Sequence, residues 1–409
     1  MDSNYLRALK TALLGRDSAP LVMICNFEVE TEWARSHVGL PNPGLSVTGE
    51  VVRRMSELGA LLAGPGDTLV LPRPLDPAYR DYLVGIGMPP PRVLVADDPF
   101  ELVGQLTGHL LPMGTSDAEQ KLAEACGLPL AVPDAATFER VNGKVYGRRL
   151  VAEAGVPAIP GSCCETVDDL VAALAQHPLP VVVKDSYGVS GKGLVVLDTQ
   201  VKADRLVRMV KRRAERTGDR RLDVVVEAWL PKAYDLNYQL TIDRTGAVRL
   251  DFVKRALTHN GVHKGHLMPA GLTGEQHALI AGTAAALGER LYRDGFFGVV
   301  GIDAILSTDG RLYPALELNA RLNMSTYQGT VVERFVPPGQ QALAKHYELR
   351  RPVTFAEVRG VLGPFLDDRS VVITCFGTAT VHPGRLYVLL TAPDLTALDA
   401  AVHAALEDL

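Results

Sequence analysis

The stretch Tyr313-Pro-Ala-Leu-Glu-Leu-Asn-Ala-Arg321 decides how this chain is interpreted. Glu317, Asn319 and Arg321 recur at every second position, so on a β-strand all three side chains lie on one face while the leucines point into a core. A carboxylate, an amide oxygen and a guanidinium on one face suit a magnesium–phosphate centre. The hard cation prefers oxygen ligands, and the arginine can neutralise anionic oxygens beside it. A strand with one solvated face is the alternative.

A second carboxylate belongs to the same predicted hairpin. Asp303 lies in the apolar strand predicted for Gly298–Leu306, which a turn joins to the strand Arg311–Arg321. An aspartate inside an apolar strand needs a partner, and the turn places it beside Glu317. Two such carboxylates repel each other without a cation, so Asp303, Glu317 and Asn319 can converge on magnesium. A carboxylate pair bridged by a buried arginine or lysine is the metal-free alternative.

A glycine-rich loop between two apolar strands is the next candidate. Lys184-Asp-Ser-Tyr-Gly-Val-Ser-Gly-Lys-Gly193 has three glycines in six residues, so its backbone can point N–H groups at an anion. Ser190 adds a hydroxyl donor and Lys192 a charge, whereas an ordinary hairpin tip is the alternative. Lys184 ends a run of three valines, where a lysine needs an anion. Lys144 offers a second cation, or is a surface lysine.

Two further stretches follow the glycine-rich loop. The backbone of Glu227-Ala-Trp-Leu230, after an apolar strand, could pair with an adenine edge while Trp229 or Leu230 packs on the ring; a simple strand end is the alternative. Asp235 could accept hydrogen bonds from ribose hydroxyls. Ala256–Thr273 shows no clear period and is rich in glycine and proline, so it is predicted to be a long loop and a candidate lid.

Three histidines, His259, His263 and His266, fall in that predicted loop. The intervening glycines make a helical array of zinc ligands a poor interpretation. A contact of His263 with phosphate or substrate and a plain surface loop both stay open. Substrate contacts are also expected from residues after Arg321, such as Asn323 and Ser325.

The bulk properties are those of a soluble globular protein of two or three domains, since the 409 residues are 47% hydrophobic and 22% charged. A net charge of −5 argues against a nucleic-acid surface as the main partner. The five cysteines form no C-x-x-C pair, which disfavours structural zinc and a disulfide framework. The first residues lack a signal-peptide pattern, and Leu21–Cys25 is too short to span a bilayer, so a cytoplasmic protein without a membrane partner is expected.

The predicted elements at the two ends of the chain differ in order. In residues 1–135, strands alternate with helices, which predicts a parallel sheet; the strands are Leu21–Cys25, Thr68–Leu71 and Arg92–Ala96, and the helices Val47–Leu62 and Pro77–Ile86. After Pro337-Pro338 the prediction is a helix near Gln340–Glu348, strands Val371–Phe376 and Arg385–Leu390, and a final helix Leu395–Leu406.

Two lysines, a glycine-rich hairpin loop, an E-x-x-L strand end and D…E-x-N-x-R occur in an order that resembles the ATP-grasp superfamily, from Phe138 to about Thr330. The resemblance implies two β-rich lobes that clamp ATP, and activation of a carboxylate as an acyl phosphate that an amine then attacks. It implies these site residues: Lys144 and Lys184 for phosphates and adenine; Ser190, Gly191, Lys192 and Gly193 for the phosphate loop; Glu227, Ala228, Trp229 and Leu230 for the adenine hinge; Asp235 for ribose; Asp303, Glu317 and Asn319 for magnesium; and Arg321 for the acyl phosphate. Gly261-Val-His263 is similar to an element of some carboxy-phosphate-forming members, which makes His263 a candidate catalytic residue.

Residues 1–135 and Val371–Leu406 also resemble the pheganomycin-type peptide ligases, on stretches such as Pro65–Pro72 and the junction Pro133–Pro157. The implied fold is α/β: a preATP-grasp parallel domain (1–135), a two-lobed ATP-grasp domain (136–335, with lobes 136–232 and 233–335) and a C-terminal α/β segment (336–409) packed on it. The implied activity is ATP- and Mg²⁺-dependent joining of a small carboxylic acid and an amine, amino acids or peptides, in bacterial natural-product pathways. A homodimer is the family-level expectation. A bicarbonate-using carboxylase and a non-catalytic ATP-binding regulator are the alternatives.

Overall fold

The structure, a computed structural model, describes residues 3–40, 49–188, 193–259 and 262–409. Its strands form three sheets, of four, four and eight strands. The first lies in the N-terminal region, the second in the middle of the chain, and the third takes in the strands from residue 232 onward.

The first sheet is parallel, as predicted. Its region contains α1 (Asn4–Leu14), β1 (Leu21–Ile24), α2 (Val29–Trp33), α3 (Glu50–Arg54), β2 (Thr68–Leu71), α4 (Pro77–Gly85), β3 (Arg92–Val95), β4 (His109–Pro112) and α5 (Asp117–Cys126). The strand order is β3-β2-β1-β4, so the chain moves outward from β1 and then returns to its other side. All four residues of β1 are buried, as expected for a central strand covered on both faces.

The second sheet is antiparallel and is packed against helices. Its region contains α6 (Ala135–Asn142), α7 (Lys144–Glu153), β5 (Gly161–Thr166), α8 (Val167–Gln176), β6 (Val181–Asp185), β7 (Leu194–Leu197), α9 (Gln200–Thr217) and β8 (Arg221–Ala228). The strand order is β5-β8-β6-β7. The strands β6 and β7 pair directly, which confirms the predicted strands on either side of the glycine-rich loop.

The third sheet has eight antiparallel strands. Its region contains β9 (Lys232–Ile242), β10 (Val248–His259), β11 (Val262–Met268), α10 (Gly274–Arg293), β12 (Gly298–Ser307), β13 (Leu312–Asn319), α11 (Met324–Phe335), β14 (Ala342–Leu349), α12 (Phe355–Asp367), β15 (Val371–Cys375), β16 (Gly384–Thr391) and α13 (Leu395–Ala405). The order is β13-β12-β9-β10-β11-β14-β16-β15, so the C-terminal strands extend this sheet. The domain boundaries at 135, 232 and 335 stay predictions.

Packing divides the molecule differently from the sheets. One large apolar core joins the parallel sheet, the eight-stranded sheet and the helices α6 and α7, whereas the second sheet shares a separate core with α8 and α9. Hydrogen bonds also connect the N-terminal region to the region of the third sheet. The backbone N–H groups of Asn4 and Tyr5, on α1, donate to Glu333, on α11, at 2.9 and 2.8 Å. The second sheet, with α8 and α9, therefore packs around its own core, separate from the core that joins the other two sheets.

The prediction of a long loop over Ala256–Thr273 is wrong for most of the segment. β10 continues to His259, and β11 pairs with it in antiparallel register, for example Ala256 with His266. A hydrophobicity pattern does not reveal this strand pair, because two of its buried positions are occupied by Lys254 and His266 instead of apolar residues. Because most of the segment forms two paired strands, the interpretation of it as a lid loop is wrong as well.

One helix prediction is wrong, and another is confirmed only in part. Residues 342–349 form β14, because pairing with β11 on one side and β16 on the other outweighs the helix propensity of its alanines and leucines. Within Val47–Leu62, the described part forms the short helix α3 followed by a 3-10 helix, Met55–Leu61. Among the described residues, no helix combines the length and apolar character needed to cross a membrane.

Candidate active site

The hairpin of β12 and β13 places the predicted oxygen ligands side by side. Asp303 is directly opposite Glu317, and Gly301 is opposite Asn319. The Asp303 carboxylate accepts from Asn319 Nδ2 at 3.3 Å and from Asn237 Nδ2, on β9, at 2.9 Å. Burial, together with the nearby charge of Glu317, raises the pKa of Asp303 to about 6. The hairpin therefore holds a buried carboxylate whose hydrogen bonds come from amide groups.

Glu317 differs from Asp303 because a lysine reaches it. Lys144 Nζ, from the first residue of α7, is 3.0 Å from Glu317 Oε1, and it also donates to the Gly188 carbonyl at 2.9 Å. Burial by itself would raise the pKa of Glu317, but the charges of Lys144 and Lys184 lower it overall. The lysine bridge foreseen as the metal-free alternative is therefore present at one of the two carboxylates.

This donor set fits a magnesium ion. Asp303, Glu317 and Asn319 offer oxygen atoms from one face of the hairpin, and the raised pKa of Asp303 reflects a buried charge that amides alone do not offset. The described residues contain no group of three or more His, Cys, Asp or Glu side chains arranged to hold a metal, so the set consists of two carboxylates and one amide.

Glu227 is the centre of a second charged cluster, between β8, β6 and α7. Its carboxylate receives Lys184 Nζ and Arg148 Nη1, each at 2.6 Å, and the residue is 4% exposed. Burial alone would lower the pKa of Lys184, but the charge and hydrogen bond of Glu227 raise it overall. Arg148, one helical turn after Lys144, was not predicted, because a single arginine on a helix gives no sequence signal.

Two backbone N–H groups of the predicted adenine hinge already donate hydrogen bonds within the protein. The backbone N–H groups of Ala228 and Trp229 donate to the Pro160 and Pro180 carbonyls, both at 2.9 Å. The Trp229 side chain is 41% exposed. Ala228 and Leu230, in contrast, pack against a small apolar cluster of Ile159, Ile305, Tyr313 and Leu316. An apolar wall beside the hinge thus exists, and Leu230 is part of it.

The glycine-rich loop is described only at its ends. Asp185 and Gly193 close it through a backbone hydrogen bond of 2.7 Å, and Gly193 has φ +80, a conformation that favours glycine. Ser190, Gly191 and Lys192 lie outside the described residues. The base of the loop is contacted by the N-terminal region, since the Leu40 N–H donates to the Asp185 carboxylate. Burial is the main reason that the pKa of Asp185 is raised, to about 6.

Arg321 is held by a partner that the sequence did not indicate. Its Nε donates to Glu30 Oε1 at 2.6 Å, its Nη2 contacts the same oxygen, and Nη2 also donates to Asn319 Oδ1 at 3.1 Å. Both side chains of the ion pair are 11% exposed. Glu30 lies on α2 of the N-terminal region, 291 residues away, so no local motif could have connected the two.

His263 lies at the end of a chain of polar contacts that begins at Asp303. Asn237, which donates to Asp303, accepts from Ser325 Oγ at 2.8 Å, and that hydroxyl oxygen is 3.3 Å from His266 Nε2. His266 Nε2 is in turn 3.2 Å from His263 Nε2. Burial is the main cause of the lowered pKa of both histidines. Gly261, of the Gly-Val-His element, lies outside the described residues.

The predicted residues separate into two groups. Direct contacts join Asp303, Asn319 and Arg321, and a separate ion pair joins Glu317 to Lys144. Asp303 is directly opposite Glu317, and Lys184 is close enough for its charge to act on Glu317. Asp235 stands apart and pairs with Lys232 at 2.6 Å, whereas His263 is connected to Asp303 only indirectly, through His266, Ser325 and Asn237.

Lys254 is a further buried cation, which was not among the predicted site residues. Its Nζ donates to Gln328 Oε1 at 2.9 Å and to the Ser325 carbonyl at 3.2 Å, and it lies 4.1 Å from the centre of the Phe252 ring. Burial lowers its pKa to about 7. A lysine at this point in an apolar strand is itself a sequence signal, of the same kind that drew attention to Lys184.

Two family models match the chain. "Carbamoyl-phosphate synthase L chain, ATP binding domain" matches residues 143–328, and "Pre ATP-grasp domain" matches residues 55–128. Both fall where the sequence resemblance placed them.

Relatives of known activity cover part of the chain. The [butirosin acyl-carrier protein]–L-glutamate ligase of Niallia circulans is 29% identical over 282 residues, 68% of this chain and 66% of that protein. The arginine-specific carbamoyl phosphate synthase large chain of Geobacillus stearothermophilus is 24% identical over 201 residues, 48% of this chain and 18% of that protein. The chain therefore matches less than two thirds of the length of either relative.

Solved structures share the fold across nearly the whole chain. N5-carboxyaminoimidazole ribonucleotide synthetase from Thermus thermophilus matches with a TM-score of 0.58 and 18% identity, over 88% of this chain and 96% of that one. Biotin carboxylase from Campylobacter jejuni, solved as a β,γ-ATP complex, matches with a TM-score of 0.59 and 14% identity, over 96% and 92%. The predicted α/β fold, a parallel domain followed by a two-lobed one, is confirmed.

Proposed function

Because this chain belongs to the ATP-grasp superfamily, we propose that it is an ATP-dependent ligase that joins a carboxylic acid to an amine, with release of ADP and phosphate. The observation that carries the proposal is the set of alternating charges that joins the second sheet to the hairpin of β12 and β13. Glu227 pairs with Lys184, whose charge acts on Glu317, and Glu317 pairs with Lys144. Asp303 is directly opposite Glu317, and Arg321 contacts Asn319. Such an array suits a polyphosphate and the charge that shifts along it during transfer.

In this proposal, ATP lies between the two antiparallel sheets. The cations of Lys144 and Lys184 meet its phosphates, and the apolar wall at Leu230 receives the adenine ring. The backbone of the hinge and the Asp235 carboxylate complete the nucleoside contacts. Ser190, Gly191, Lys192 and Gly193 belong to the loop that covers the β- and γ-phosphates.

Asp303, Glu317 and Asn319 would hold magnesium, which supplies positive charge to the phosphate oxygens when bound. The chain's own residues then provide position and charge neutralisation. The substrate carboxylate forms a bond to the γ-phosphorus as the bond to ADP breaks. The amine next attacks the acyl carbon, and the C–O bond to phosphate breaks. Arg321 is placed to stabilise the negative oxygen that forms in this step, a contribution worth about 3–4 kcal/mol in comparable sites.

His263 is the proposed acceptor of the amine proton. The contact with His266 connects it to Ser325 and Asn237, and through them to Asp303. The distinction between an amino acid and a peptide as substrate, a role in natural-product formation, a cytoplasmic location and a homodimer all belong to this proposal. The likeness to the butirosin ligase supports the natural-product role.

A bicarbonate-using carboxylase is the second candidate. The family model of the carbamoyl-phosphate synthase ATP-binding domain and the Gly261-Val-His263 element favour it. In that reaction bicarbonate takes the place of the organic acid, and the same phosphate site serves.

A mass-spectrometric screen tests the proposal. The protein is incubated with ATP, magnesium and pooled amino acids and small acids, and both nucleotides and new masses are recorded. ADP together with a product equal to two substrates minus water is the expected result. ADP that depends on bicarbonate, without such a product, would favour the carboxylase, and AMP would contradict the acyl-phosphate route.

A further inference from the structure

Residues 37–40, shortly after α2 in the N-terminal region, form a strap that reaches the region of the second sheet. Three backbone groups of the strap are hydrogen-bonded there: the Val38 carbonyl by the Asp223 N–H at 2.9 Å, the Gly39 carbonyl by Arg213 Nη1 at 2.8 Å, and the Leu40 N–H by the Asp185 carboxylate. The Leu40 side chain is part of the core that the second sheet shares with α8 and α9. The strap therefore ties the N-terminal region to a part of the molecule that otherwise packs around its own core.

His37 is the ionisable side chain of the strap, and two carboxylates face it. Its Nδ1 lies 2.6 Å from Asp223 Oδ2, on β8, and its Nε2 lies 3.1 Å from Glu139 Oε1, on α6. An ionised carboxylate only accepts hydrogen bonds, so both contacts form only if both ring nitrogens donate. Only the imidazolium ion has a proton on each nitrogen. The bridge is therefore complete when His37 is charged, and one of its two hydrogen bonds is lost when the ring is neutral.

Three further ionisable groups lie beside the strap. The Tyr187 ring is 4.3 Å from the His37 ring, and burial raises the pKa of Tyr187, so it stays uncharged near neutral pH. Asp185 and Arg213 contact the strap through its backbone. The pKa of Asp185 is raised to about 6, mainly by burial, so this carboxylate titrates as well. A pH experiment on His37 therefore has to separate the two groups.

The strap is connected to Lys144 through the start of the glycine-rich loop. The Ser186 N–H donates to the Asp223 carbonyl at 3.0 Å, so Asp223 contacts both the strap and the loop. On the other side, the Ser186 carbonyl accepts from the Lys144 N–H at 3.1 Å, and the Gly188 carbonyl accepts from Lys144 Nζ at 2.9 Å. Residues 185–188 are thus held between the strap and a lysine that is proposed to meet the phosphates of ATP.

We propose that His37 is a positioning residue of the nucleotide site: its charged form fixes the start of the glycine-rich loop and, through it, Lys144, so ATP binds more tightly when His37 is protonated. The inference rests on the proposed function and adds a control of the same site by pH. A loop that is ordered before ATP binds loses less entropy on binding. Histidine changes charge between about pH 5 and 8, so the bridge is present at low pH and is lost as pH rises.

Calorimetric titration of the full chain with a non-hydrolysable ATP analogue and magnesium, at about pH 6 and about pH 8.5, tests the proposal. His37→Gln, which stays neutral, should bind about fivefold more weakly than the wild type at the lower pH, as expected for a partly exposed ion pair, and equally at the higher pH. His37→Lys, which stays charged, should match the wild type at the lower pH and bind about fivefold more tightly at the higher pH.

Comparing the forms at each pH isolates His37, because the titration of the ligand and of Asp185 is common to all of them. His277→Gln, at an exposed histidine of α10, is the matched control and should bind like the wild type at both pH values. Melting temperatures verify that each form is folded under the titration conditions.

Equal affinity of the wild type and His37→Gln at both pH values would overturn the proposal. A loss in His37→Gln that is the same at both pH values and is not restored in His37→Lys would also overturn it, since a purely structural role gives that result. ADP formation over the pooled acids and amines is measured on the same samples. The expected pH-dependent binding without any ADP would refute the ligase function and leave the positioning role intact. ADP formation with the same KM for ATP in all forms would refute the positioning role alone, and no nucleotide binding by the wild type would refute both.

Discussion

Two buried carboxylates, Glu227 on the second sheet and Asp303 on the third, differ in the groups that compensate their charge. Glu227 receives two cations at 2.6 Å, whereas Asp303 is hydrogen-bonded by the amide groups of Asn237 and Asn319. The pKa of Asp303 is accordingly raised, mainly by burial. The charge of Glu227 is compensated by cations of the chain itself, whereas the hydrogen bonds to Asp303 come from neutral amides and leave its negative charge uncompensated.

From this difference we expect the Glu227 cluster to hold side chains in position and the region around Asp303 to bind a ligand. Removing one member of a complete buried cluster leaves an unpaired charge, so such a cluster fixes the positions of Lys184 and Arg148. A site with surplus negative charge is stabilised by what binds there. In the proposed function, the hairpin of β12 and β13 is therefore where a bound cation is expected to change the energy most. Four substitutions can break or sharpen this contrast.

The largest effect is expected at the incomplete site. Glu317→Ala should reduce magnesium-dependent ATP turnover by more than about 100-fold, since one oxygen ligand and the partner of Lys144 are lost together. Steady-state ADP release measures the change, and circular dichroism verifies the fold. Glu348→Ala, an exposed glutamate of the same sheet, is the control. Wild-type turnover in Glu317→Ala would refute the metal assignment.

The next effect belongs to the complete cluster. Lys184→Ala removes a charge-assisted contact worth about 1.5–3 kcal/mol, so ATP affinity should fall roughly 10- to 100-fold. Calorimetric titration with a non-hydrolysable ATP analogue reads this directly. Lys202→Ala, an exposed lysine paired with Asp198 in the same region, should leave the affinity unchanged. If both variants bind like the wild type, Lys184 does not contact nucleotide.

A smaller loss is expected when Arg321 loses its anchor. Glu30→Gln keeps the side-chain shape but removes the charge that fixes the guanidinium, so kcat should fall about tenfold while KM for ATP stays constant. Glu32→Gln, on the same helix and paired with the exposed Arg35, is the matched control. An equal fall in both variants, or a change confined to KM, would argue against a positioning role for Glu30.

The smallest effect concerns stability without ligand. The pKa of Asp303 is raised to about 6 from about 3.9 in an unfolded chain. Between these values the folded protein retains a proton that the unfolded chain has released, so stability falls as pH rises from about 4 to 6. Asp303→Asn removes that fall, and its melting temperature should exceed that of the wild type by a few degrees at pH 7.5 and match it near pH 4.

Asp309 provides the opposite case on the same hairpin. Its pKa is lowered, chiefly by a hydrogen bond from the Arg311 backbone, so its charge favours the folded state above the unfolded pKa. Asp309→Asn should therefore lower the melting temperature slightly at pH 7.5. The same direction of change in both variants would contradict the account of Asp303.

The hairpin was predictable because its information is local. Alternation at Glu317, Asn319 and Arg321 gives the face, and a four-residue turn gives the register with Asp303. Asn237 was not found, since an asparagine on a third strand becomes a partner only when β9 pairs with β12. Glu30 and Arg148 were missed for the same reason: their contacts arise between segments far apart in the chain.

Errors in the fold have a different origin. Around residues 256–268, polar side chains occupy inward-facing positions, so the apolar alternation that identifies a strand is absent. At β14, local propensity favours a helix, and pairing with two neighbouring strands decides otherwise. In both segments, pairing between strands that are distant in the sequence therefore decided the secondary structure, which the local patterns did not predict.

The extension of the third sheet by β14, β16 and β15 affects how the protein can be divided. Cutting the chain after residue 335 would remove those strands and leave β11, with His263 and His266, as an exposed edge. Unpaired edges of this kind join to other chains and promote aggregation. An expression fragment that ends at residue 335 would therefore be a poor reagent, and any minimal version of this protein has to keep its C-terminal strands for solubility.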